Sequence, residues 1–149
     1  MKSKKFVSLI LFTLSFINPV FADETVIEEN LVFENAWIAE APPVSKVMVA
    51  YVTVKNTGAK AIEIIHAESD LYSSIEFHET IHKDGMARMI RHDSLNISAN
   101  NKLELKRGGP HLMLFNPTKR LKAGDTVNIT FTTNNNTAKT VSVAVKKVQ

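Results

Sequence analysis

Cysteine is absent from the 149 residues, and that absence excludes several chemistries at once. There can be no disulfide, no zinc–thiolate site, no cysteine nucleophile and no lipid-carrying cysteine behind a leader. A blue-copper electron-transfer centre is excluded too, because its thiolate ligand is missing. The chain also lacks a glycine-rich phosphate loop, a His-x-His copper motif and a Ser/His/Asp arrangement with supporting context, so no enzyme is expected. No internal repeat and no linker divides it. No apolar run is long enough for an ordinary membrane span.

The longest apolar run, Phe6 to Phe16, is interrupted soon afterwards by Asn18 and Pro19. It follows Lys2, Lys4 and Lys5 and precedes Val20-Phe21-Ala22, a small-x-small cleavage pattern, with polar Asp23-Glu24 next. This is the layout of an export signal over residues 1–22, leaving residues 23–149 as one domain with no stable membrane insertion after cleavage. The signal also accounts for the charge. The chain carries 18 basic and 15 acidic residues, and removing three leader lysines from 18 leaves 15 against 15. A neutral remainder with scattered bases gives no basic patch for nucleic acid.

From Leu31 onward, short β-prone segments alternate with turn signals. The segments run over residues 31–39, 46–55, 61–68, 74–82, 86–92, 95–98, 102–106, 111–115, 126–133 and 139–148. Asn56-Thr57-Gly58, Asp84-Gly85, Gly108-Gly109-Pro110 and Asn134 to Asn136 break them apart. With no long amphipathic helix, the pattern predicts about eight or nine strands in an all-β sandwich or Greek-key barrel.

Four residues stand out: His78, Met89, His111 and Met113, separated by ten, twenty-one and one residues. Two imidazoles and two thioethers make a soft set without thiolate, suited to Cu(I) and poorly suited to zinc, magnesium or calcium. In an oxidising compartment, thioethers replace the thiolates that would oxidise there. Strand alternation puts Ile75, Phe77 and Ile81 on one face and Glu76, His78, Thr80 and His82 on the other. A two-residue Asp84-Gly85 turn pairs His82 with Ala87, Thr80 with Met89 and His78 with Arg91, so Met89 shares the face of His78. A three-residue loop would shift the pairing by one and turn Met89 away. His111 and Met113 project together, with Leu112 and Leu114 toward the core. His82 competes for the same face as His78. Met48 reads as core and Met86 as surface or edge. His66 and His92 read as solvated or locally bonded, and Glu76 and Glu79 as ordinary strand charges unless they support a ligand from behind.

The pattern H-x10-M-x21-H-x-M resembles the signature of the periplasmic PCuAC copper chaperones. Asn35-Ala36-Trp37, Val54-Lys55-Asn56-Thr57-Gly58, Phe77-His78-Glu79 and Gly108 to Leu114 resemble it too, as does Leu121 to Val127. The resemblance covers residues 31 to 148. It implies a cupredoxin-like fold, a Cu(I) site at His78, Met89, His111 and Met113, and a monomeric periplasmic carrier. Its copper would pass toward the dinuclear centre of cytochrome c oxidase, through subunit II or a thiol-containing assembly factor. Some members of the family carry a Met- and His-rich tail, which this chain does not have at Val148-Gln149. The alternative is a secreted β-sandwich interaction or adhesion module that binds no metal.

Overall fold

Alternation of buried and half-exposed residues builds the domain. Along Val47–Asn56, Met48, Ala50, Val52, Val54 and Asn56 are buried and the residues between them are not. A period of two with one buried face is a strand lying on a core. The computed structural model describes residues 30–148, so the leader expected over residues 1–22 lies outside the described residues. The regular structure described is all β: β1 (Leu31–Ala39), β2 (Val47–Asn56), β3 (Ile62–Glu68), β4 (Ser74–Lys83), β5 (Met86–His92), β6 (Leu95–Ile97), β7 (Asn101–Leu105), β8 (Pro110–Phe115), β9 (Thr126–Thr133) and β10 (Ala138–Lys146). All ten β-prone segments form strands, against the eight or nine strands expected, because even three-residue β6 finds a ladder on β3 and β7 finds one on β2.

The strands run in the order β5-β4-β8-β2-β1-β10-β9-β3-β6, with β7 on the remaining part of β2. β1 and β10 are parallel, and the other pairs are antiparallel. Phe77 and Leu112 from one end of this order share a single buried cluster with Ile64, Ile97 and Ile129 from the other. A flat sheet could not bring them together, so the sheet curls over on itself and packs its apolar faces inward.

Two local devices position the outer face of β4, β8, β2 and β1. In β1 the register shifts between Glu34 and Trp37, and Asn35 has a φ of 54°. This bulge inserts an extra residue, so Trp37 points outward opposite Tyr51 while Ile38 enters the core. The β4–β5 turn is the second device. Asp84 and Gly85 have φ of 54° and 74°, the consecutive positive values of a type I′ hairpin. It pairs Thr80 with Met89 and His78 with Arg91, the register expected from sequence.

Candidate metal centre

The backbone brings the two donor segments together by direct strand pairing. β8 lies between β4 and β2, and His78 is opposite His111 while Glu76 is opposite Met113. Directly opposed residues share a face. His78, His111 and Met113 therefore project from the outer side of the sheet, and Met89 joins them from edge strand β5. Leu112 and Leu114 fill the other side at 1% and 0% exposure, which fixes the orientation of β8.

Each imidazole has one nitrogen occupied and one left over. His78 Nε2 lies 2.8 Å from Glu76 Oε2, and His111 Nδ1 lies 2.8 Å from the carbonyl of Gly109. Both oxygens can only accept, so both of those nitrogens carry the proton. The lone pairs are then on His78 Nδ1 and His111 Nε2. His78 Nδ1 is buried and has no hydrogen-bond partner. Leaving a buried polar atom unpaired costs about 1–3 kcal/mol, so it is an atom that wants a partner. The ring centroids are 6.3 Å apart. A metal about 2 Å from one nitrogen of each ring holds the centroids at most about 6.4 Å apart, so one ion between these rings needs a near-linear N–metal–N arrangement or a small shift of one ring.

The surroundings hold the rings in place. Glu76 also faces Arg91, with Oε1 3.6 Å from Nη1. The Gly109 carbonyl accepts from the Thr80 amide at 3.2 Å as well as from His111, tying the β8 entry to β4. His111 is 5% exposed, Met113 is half-buried, and Met89 is 54% exposed. This face is thus closed around the rings and open at Met89 on the edge strand. Among the described residues, no group of three or more His, Cys, Asp or Glu side chains is placed to hold a metal. The cluster has two imidazoles, and Met113 and Met89 project from the same face of the sheet.

The other candidates separate clearly. Met48 is core, its sulfur accepting from the Tyr72 hydroxyl at 3.3 Å, and Met86 is exposed. His66 pairs with Glu68, and His92 with Glu79. His82 is exposed near the hairpin tip. Of Glu76 and Glu79, whose roles the sequence left open, Glu76 is the one that meets His78. Its signal was the i, i+2 spacing from His78, which puts both on one strand face.

A family described as putative lipoprotein LpqE-like matches residues 31–145. An uncharacterized Rickettsia prowazekii protein is 38% identical over 96 residues, covering 64% of this chain and 53% of that protein, so the chain spans about half the relative's length. A Deinococcus radiodurans protein, DR1885, whose solution structure is of its Cu(I) form, is 35% identical, covers 74% of both chains and superposes with a TM-score of 0.62. The copper-bound PCuAC domain from PmoF2 superposes with a TM-score of 0.67 at 18% identity, over 80% of this chain and 94% of that one. The curled ten-stranded sheet is therefore the cupredoxin-like β-sandwich of PCuAC domains.

Proposed function

The chain belongs to the LpqE-like family, and we propose that it is an exported Cu(I) carrier whose cargo is held by His78 Nδ1, His111 Nε2 and the sulfurs of Met89 and Met113. One atom carries the reading: the buried, unpartnered Nδ1 of His78, on a ring whose other nitrogen is held by a carboxylate. A carboxylate behind a histidine is the usual way to fix the tautomer and orientation of a ligand ring. The Cu(I) form of the 35%-identical Deinococcus protein supports copper as the cargo. The family's description as a lipoprotein supports export, although these residues contain no cysteine to lipidate.

Neutral nitrogen and thioether donors hold a soft, singly charged ion without a thiolate. Exposed Met89 lets an incoming ligand bind copper before the old ligands leave. A thiolate acceptor, softer and negatively charged, then draws copper away. The recipient we favour is the dinuclear copper centre of cytochrome c oxidase, reached in the periplasm through subunit II or a thiol-containing assembly factor. The role is delivery, not catalysis.

Anaerobic titration with Cu(I) against a competing chelator tests this. One copper per chain is expected, together with a melting temperature that rises with free Cu(I) as binding to the folded state requires. Sub-stoichiometric copper with an unchanged melting temperature would leave only a β-sandwich interaction module.

A further inference from the structure

Four of the five histidines have an oxygen partner. His66 is 3.5 Å from Glu68, His78 is 2.8 Å from Glu76, His92 is 2.9 Å from Glu79 and His111 is 2.8 Å from the Gly109 carbonyl. His82 has no hydrogen bond or ion pair among the described residues, and it is exposed. Its place in the ladder is informative. His82 pairs with Ala87, Thr80 with Met89 and His78 with Arg91. His78, Thr80 and His82 leave β4 on one face, and Met89 leaves β5 on the same face. Met89 thus stands opposite Thr80, with an imidazole one diagonal step away on each side. His78 lies toward the domain and His82 toward the hairpin tip. Diagonal neighbours are about 7–8 Å apart at the backbone, within reach of two long side chains. Met89 is 54% exposed, and its unbranched chain can turn its sulfur either way.

We propose that His82 and Met89 form a second, outer Cu(I) position, through which copper enters and leaves the four-residue site. The proposal rests on the carrier reading above. Two exposed neutral donors are too few to hold Cu(I) against four, but enough to capture it from a donor and pass it on. Inward, copper first binds one His82 ring nitrogen and the Met89 sulfur. The bond to Met89 persists while a bond to His78 Nδ1 forms and the bond to His82 breaks. His111 Nε2 and the Met113 sulfur then complete the set. Copper stays Cu(I) throughout, and no electron or proton moves. Release follows the same steps in reverse. Since His82 is not among the final ligands, it changes both rates and leaves the equilibrium alone.

The test compares the parent with His82→Ala by anaerobic stopped-flow, loading from a Cu(I)–bicinchoninate complex and releasing into excess bathocuproine. Loading and release should both slow about tenfold, while the affinity stays within about twofold. Met86→Leu, on the opposite face of the hairpin, should change neither rate. Unchanged rates in His82→Ala would overturn the proposal. So would a weaker affinity with unchanged loading, which would make His82 an ordinary ligand of the resting site. A parent that takes up no copper would instead overturn the carrier reading, and the outer position with it.

Discussion

His78 and His111 face each other directly across the β4–β8 ladder, with ring centroids 6.3 Å apart. Adjacent strands set their spacing, and two different oxygens fix which nitrogen of each ring is protonated. The pair is therefore positioned by the fold itself, without loop closure. His78→Ala and His111→Ala should each abolish stoichiometric Cu(I) uptake. The two should differ in apo stability, because His111 is the more deeply buried ring at 5% exposure. His111→Ala should cost about 2 kcal/mol in urea denaturation, and His78→Ala less.

The face on which Met89 projects can be tested without changing composition. Exchanging neighbours, Arg88→Met with Met89→Arg, keeps charge and strand but moves the thioether to the other side of β5. The edge position is exposed throughout, so the apo melting temperature should stay within a few degrees. Copper affinity should fall, because the sulfur no longer shares a face with His78. Equal affinity in a chelator competition would mean that Met89 is not a ligand.

Buried Tyr72 makes a prediction away from the metal. Burial pushes its phenol up from 10.0 to about 12. Above pH 10 the unfolded chain gives up this proton while the folded chain keeps it. The stability contributed by Tyr72 is therefore complete below pH 10 and is lost as pH rises through 12. Urea midpoints should fall across that window, and Tyr72→Phe should remove part of the fall. At neutral pH the same substitution should cost about 0.5–1 kcal/mol, the worth of its weak hydroxyl–sulfur bond to Met48.

Most of the fold was legible because strands with one buried face alternate strictly, as in Val47–Asn56. The β4–β5 register was legible because Asp84-Gly85 favours a two-residue turn, and both residues take positive φ. The meeting of β4 with β8 was not legible. It joins segments separated by three other strands, and pairing across such a distance leaves no local pattern. The bulge at Asn35 was hidden for a related reason: Asn35-Ala36 reads as ordinary strand until Tyr51 fixes the partner. The hydrogen bond from His111 to Gly109 also needed coordinates, since a backbone acceptor has no sequence signature.

Glu76 offers the sharpest distinction between holding a ring and holding a fold. Its carboxylate accepts from His78 Nε2 at 2.8 Å and faces Arg91 at 3.6 Å. If its work is to orient His78, removing it should weaken copper in graded steps. Glu76→Gln keeps an oxygen that can accept the same proton, and should lower Cu(I) affinity about tenfold. Glu76→Ala removes the acceptor, frees the tautomer and the ring, and should lower affinity up to about a hundredfold. The site lies on a half-exposed outer face, so both variants should keep the apo melting temperature within a few degrees of the parent. A residue that only stiffened β4 would show the reverse order of effects: a lower melting temperature in both variants, and no recovery of copper affinity on going from Ala to Gln.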